Sequence, residues 1–149
     1  MIEVRPHHLL CLLGWRGHGY DKAFSDNFNR LADELKTAGV IRIIDGRDDI
    51  CAACPKLENS DCRDGSPGDI DSRLLERLKI SVDRVYEIAW LNSRIKKMVR
   101  SEDLNDICSG CSWLERGWCA SALNGLSEPE GGTAAASRAA QVDIFDRTP

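Results

Sequence analysis

Asp49-Ile50-Cys51-Ala52-Ala53-Cys54-Pro55-Lys56-Leu57-Glu58, followed by Cys62, is matched by Asp106-Ile107-Cys108-Ser109-Gly110-Cys111-Ser112-Trp113-Leu114-Glu115, followed by Cys119. Both stretches read Cys-x2-Cys-x7-Cys, offset by 57 residues without a gap: 51 to 108, 54 to 111, 62 to 119. Asp, Ile, Leu and Glu recur in register with the cysteines, which predicts one local structure used twice. Two residues between thiolates let a tight turn bring both sulfurs to one metal, and a third cysteine eight positions on can return to the same centre. Zinc takes four tetrahedral ligands, and a cubane iron–sulfur cluster usually takes four cysteines. Each triplet supplies three, so each needs a fourth ligand or leaves a position open.

The remaining cysteine supplies a candidate. Pro6-His7-His8-Leu9-Leu10-Cys11-Leu12-Leu13-Gly14 reads as a short helix over about 6–13, with Pro in its first turn and Gly past its end. His7 and Cys11 are four apart and His8 and Cys11 three apart, so either histidine can share a helical face with the thiol. The bland alternative is a core helix with satisfied histidines and an inert cysteine. Two of the chain's three histidines stand beside its one cysteine outside the triplets, which favours ligation. The candidate metal ligands are therefore Cys51, Cys54, Cys62, Cys108, Cys111, Cys119, Cys11, His7 and His8. His18, among glycines, reads as an exposed loop residue.

Composition bounds the rest. The chain has 149 residues, 42% hydrophobic and 30% charged, with a net charge of −4. That suits one globular domain large enough to bury a core without staples. It gives no bulk basic field for nucleic acid, and the apolar run Leu9–Leu13 is far shorter than the ~20 residues that span a bilayer. No basic segment followed by an apolar one opens the chain, so a reducing, cytoplasmic compartment is expected, where clustered cysteines bind metal or do redox work rather than form disulfides. Seven cysteines also leave one over from any complete disulfide set.

Outward from the cysteines, residues 22–38 read as an amphipathic helix with Phe24, Phe28, Leu31 and Leu35 as its core stripe, stopped at Gly39. Val40–Ile44 reads as a strand, with Met1–Val4 available to pair with it. Gly65–Gly68 reads as a turn and 70–78 as a helix. Ser81 is expected to cap a longer helix to about 99, with Val85, Ile88, Ala89, Ile95 and Val99 inward and Arg94, Lys96, Lys97 and Arg100 at its basic end. Ser101 is expected to cap a further short helix. The fold class is mainly α with a small β element, a compact single domain over 1–125 organised around the two cysteine loops. Residues 126–149, rich in Gly and Ala, read as a disordered tail.

Arg5-Pro6-His7-His8-Leu9-Leu10-Cys11, Gly14-x-Arg16-Gly17-x-Gly19-Tyr20, Asp48-Asp49-Ile50-Cys51-x-x-Cys54-Pro55 and Ile107-Cys108-x-x-Cys111 together resemble the uncharacterised bacterial and archaeal domain of unknown function family 1284. The resemblance covers about residues 2–123. It implies an iron–sulfur cluster, of the 4Fe-4S kind, and brings no reaction or substrate. The leading expectation is an iron–sulfur protein with an electron-transfer or redox-responsive role and a redox or protein partner. The alternative is a structural zinc protein with two sites of three cysteines plus one further ligand, acting as an interaction module. An enzyme with Cys11 as nucleophile and His7 or His8 as base ranks behind both.

Overall fold

The computed structural model describes residues 1–58, 61–62, 67–111 and 113–127. In chain order these form β1 (Glu3–Val4), α1 (His8–Gly14), α2 (Lys22–Ala38), β2 (Val40–Ile43), β3 (Leu57–Glu58), β4 (Asp61–Cys62), α3 (Pro67–Leu78), β5 (Arg84–Glu87), α4 (Ile88–Met98), α5 (Leu104–Ile107) and α6 (Trp118–Ser127). The protein is mainly helical, and its helices share one core with a three-stranded sheet ordered β1-β2-β5.

Helix α2 forms where its apolar stripe lies. Asp21 caps it by accepting the Phe24 N–H, and Phe24, Phe28, Leu31 and Leu35 are all buried. It stops at Gly39, whose φ of 79° suits a residue without Cβ. The Gly39 carbonyl then accepts the Ile88 N–H. β2 follows at once, pairs parallel with β1, and carries Ile41 and Ile43 into the core.

Three expectations are corrected. Pro67 and Gly68 open α3 instead of forming a turn, because Pro suits a helix's first turn. Residues 84–87 are a strand, not the first turn of a long helix: β5 pairs antiparallel with β2, Val40 to Glu87 and Ile43 to Arg84. Lys79 and Asp83 adopt φ of 57° and 59°, which breaks any helix running through Ser81. Val85 and Ala89 accordingly face outward, while Ile88, Leu91 and Ile95 carry the inner face of α4. Ser101 is the first residue of a short 3₁₀ turn, and the cap there is the Asp103 carboxylate accepting the Arg100 N–H. The expected tail falls outside the described residues beyond Ser127, to which α6 extends. No helix among those described is long and apolar enough to cross a membrane.

The two Cys-x2-Cys segments share one backbone feature. The Cys54 N–H donates to the Cys51 carbonyl at 3.0 Å, and the Cys111 N–H to the Cys108 carbonyl at 2.9 Å. Downstream they diverge. The first runs into the β3–β4 hairpin, which pairs Leu57 with Cys62, and the second into a 3₁₀ turn at Leu114–Arg116 and then α6.

Helix α1 is buried along its whole length from Leu9 to Gly14. Its close approach to α6 depends on Gly14, where an added Cβ would stand 2.9 Å from the Cys119 nitrogen and 3.0 Å from its Cα. Those are backbone atoms, which cannot swing aside. Gly14→Ala should therefore cost roughly 1–3 kcal/mol in urea unfolding, while Gly68→Ala, with open space around it, should cost nothing. Equal stability of Gly14→Ala and wild type would show that α1 and α6 do not pack this closely.

Candidate metal centre

The segment from Arg5 to Cys11 is held by two buried carboxylates. Asp71, on the inner face of α3, accepts from Arg5 Nε at 2.8 Å and pairs with Arg5 Nη2 at 2.7 Å through one oxygen. Its other oxygen accepts the His7 backbone N–H at 2.9 Å and meets His7 Nδ1 at 2.7 Å. Asp48, just ahead of the first cysteine turn, meets His8 Nδ1 at 2.7 Å and accepts the Arg5 N–H at 2.7 Å and the Cys51 N–H at 3.0 Å. Asp49 extends the stitching by accepting the Glu3 N–H, and its carbonyl accepts from Asn27 of α2.

Burial alone would raise both carboxyl groups. At Asp48 the His8 imidazole and then the Arg5 and Cys51 N–H groups outweigh it and hold the carboxyl at about 2. Asp71 is also lowered, against its burial, by His7 and Arg5. His7 itself is lowered below 6.5, first by burial and then by the neighbouring His8. With that ring neutral, Arg5 supplies the positive charge that keeps Asp71 ionised. An ionised carboxylate can only accept, so each Nδ1 is the donor, and the neutral His7 ring keeps its lone pair on Nε2.

The cysteines fall into two overlapping groups. Cys11, Cys108, Cys111 and Cys119 line one pocket with His7, Ile70, Leu10, Leu104 and Leu114. Its four thiols come from α1, the second Cys-x2-Cys turn and α6. Cys119 Sγ reaches the Leu10 carbonyl at 3.4 Å, a weak hydrogen bond from α6 to α1. Cys51 and Cys54 line a second pocket with His7, His8, Cys11 and Cys111, walled by Tyr20, Phe24, Phe28 and Trp113. Cys11, Cys111 and His7 touch both pockets. The triplets therefore do not stay apart: the second gathers around Cys11, and the first meets the histidines. Cys62 sits on β4, and its side chain lies outside the described ones.

None of the buried thiols is ionised at neutral pH. Burial pushes Cys51, Cys108 and Cys119 up to about 12. Cys11 is raised well above the ordinary range by burial and then by Cys119, Cys111 and Cys108.

Sequence reasoning named His7, His8 and all seven cysteines but assigned no role to Asp48, Asp71 or Arg5. For Asp71 a signal existed. It stands three, four and seven residues before Leu74, Leu75 and Leu78, on the apolar stripe of its own helix. His18 is exposed, with its ring edge-on to Trp118.

The fold and pockets define a small helical protein with thiols and imidazoles gathered at its core. The family model described as "Protein of unknown function (DUF1284)" matches residues 19–117, and the chain belongs to that family. His7, His8, Cys11 and Cys119 lie outside the matched span. No curated protein and no solved structure matches the chain.

The Asp48 carboxyl, lowered to about 2 from an ordinary 3.8, contributes about 2 kcal/mol to stability at neutral pH. Because its folded-state value is depressed, that contribution is present above pH ~4 and is lost as pH falls from about 4 through 2. Urea unfolding of metal-free protein should therefore show an acid limb over that window, and Asp48→Asn should flatten it at lower overall stability. An unchanged acid limb in Asp48→Asn would remove Asp48 from the account.

Proposed function

We propose that this protein binds an iron–sulfur cluster through Cys11, Cys108, Cys111 and Cys119 and serves as an electron carrier or redox-responsive module. The observation that carries the reading is the single pocket lined by those four thiols together with His7 and apolar side chains. Four sulfur donors select soft metals, and a cubane cluster takes four cysteines. When bound, the cluster supplies one-electron chemistry.

The spacing of the thiols supports a cluster over one ion. Sulfurs on one tetrahedral zinc stand about 3.8 Å apart, from bonds of about 2.3 Å. Among the described residues, the sets of three ligating atoms within 4.8 Å of one another are His7, His8, Cys11 and His8, Asp48, Cys51, neither holding two cysteines. A cubane sets its four thiolates on four different irons, hence farther apart than donors to one ion. One observation favours the alternative of structural zinc: the space between the thiols is about 10 Å³, about that of one water.

The chain's own residues have separate tasks. Leu10, Leu104, Leu114 and Ile70 exclude water. The thiols must each lose a proton, and Cys119 gives up its bond to Leu10 when it does. The raised thiol values argue against an enzyme built on Cys11, since an activated nucleophile is lowered.

Protein purified without oxygen should be brown and hold iron with acid-labile sulfide, and Cys11→Ser should lose both. Because ligation displaces thiol protons, loading should acidify a weakly buffered solution, and apparent affinity should climb more than tenfold per pH unit between 6 and 8. Colourless protein carrying zinc lost in Cys11→Ser would select the zinc reading. Wild-type metal content in Cys11→Ser would contradict both.

A further inference from the structure

His7 and His8 were expected to complete a cysteine triplet. The thiol that both of them meet is instead Cys11, which belongs to neither triplet. A ring nitrogen of His7, a ring nitrogen of His8 and Cys11 Sγ all lie within 4.8 Å of one another. The two rings stand 4.4 Å apart between centroids. The convergence follows from the sequence, because Cys11 comes four residues after His7 and three after His8, about one helical turn. Cys51 falls in a different group, with His8 and Asp48.

Both rings are already fixed in place. Nδ1 of His7 meets Asp71 and Nδ1 of His8 meets Asp48, each at 2.7 Å, and both carboxylates are buried. A carboxylate on one ring nitrogen is how proteins orient a histidine whose other nitrogen binds a metal. A purely structural pair would be served by those two hydrogen bonds. It would not call for both rings and a thiol to converge on one pocket that all three line.

We propose that His7, His8 and Cys11 hold one divalent transition ion of the zinc or ferrous class, with Asp71 and Asp48 as positioning residues and the Cys11 thiolate bridging to the quartet centre. The bridge rests on the quartet reading; the three-donor site does not. A thiolate sulfur has lone pairs enough for two metals, and Cys11 lines both pockets. Two imidazoles and a thiolate suit zinc or ferrous iron, whereas four thiolates suit a cluster. Three protein donors leave one coordination position for water or a small anion. The pocket they line has about 40 Å³ of free volume, against the ~10–15 Å³ that one water needs. Trp113 lines it too, and its buried indole N–H lacks a partner among the described residues.

Cobalt(II), added to the reduced, metal-free full chain, tests the site. Thiolate ligation gives a near-ultraviolet charge-transfer band, and each imidazole bound to cobalt gives a paramagnetically shifted, solvent-exchangeable N–H proton signal. Cys108→Ser with Cys119→Ser breaks the quartet and should still bind one equivalent, with the charge-transfer intensity of one thiolate and two such N–H signals. Adding His7→Gln and His8→Gln should abolish that binding, and Asp48→Asn or Asp71→Asn should weaken it by roughly 10–100-fold. Wild type under excess cobalt, read in the same way, covers the case of a serine variant that does not fold: it should show both N–H signals. No shifted N–H signal in wild type, or cobalt binding in the serine variant unchanged by the histidine substitutions, would overturn the proposal. Cys11→Ser should lose both this cobalt and the iron of anaerobically purified protein; loss of only one would overturn the bridge. Both N–H signals in a protein without iron and acid-labile sulfide would support this site and sink the quartet, and a cluster without the N–H signals would do the reverse.

Discussion

Two buried carboxylates decide where the histidines and cysteines of this protein gather. Asp71 gathers Arg5 and His7, and Asp48 gathers His8 and the first cysteine turn. Arg5 is common to both, through its guanidinium to Asp71 and its backbone N–H to Asp48. Burying a charge is costly unless its partners are present, and deleting one partner of a buried pair costs about 3–5 kcal/mol. The chain therefore has one arrangement in which β1, α3 and the first cysteine loop all satisfy these groups. That arrangement delivers the short helix α1, and with it Cys11, to the second cysteine loop. The packing of Gly14 against the Cys119 backbone then closes the structure from the other side.

How much of this could be read beforehand depended on whether the deciding interaction was local. Helix α2 was legible because its apolar stripe and its Gly39 stop are local to the segment. The strand β5 was not, since Val85 and Ile88 fit a helical spacing as well as an extended one. What decided was pairing with β2 some forty residues away, a non-local contact that no local pattern encodes. The carboxylates were missed for a related reason. Aspartates are mostly surface residues, so a buried pair is a property of the assembled core. Only the placement of Asp71 on an apolar stripe hinted at it.

Cysteine spacing marked out the residues but not their grouping. An identical pair of triplets invites two identical sites. The chain instead uses the shared turn at Cys51–Cys54 and Cys108–Cys111 in two settings, one beside imidazoles and one closed by apolar side chains. Cys11, Cys111 and His7 join the two settings, since each lines both pockets. Electrostatics reinforces the division. Thiols raised by burial stay neutral until a metal displaces their protons. The histidines differ, for each is already oriented by a carboxylate.

The most direct test is an anomalous-scattering map at the iron edge from crystals grown without oxygen. The account places the iron peak among the sulfurs of Cys11, Cys108, Cys111 and Cys119, with bonds of about 2.3 Å as for metal–thiolate pairs. Iron bound among Cys51, Cys54 and the histidines, with Cys108 and Cys119 left as free thiols, would contradict it.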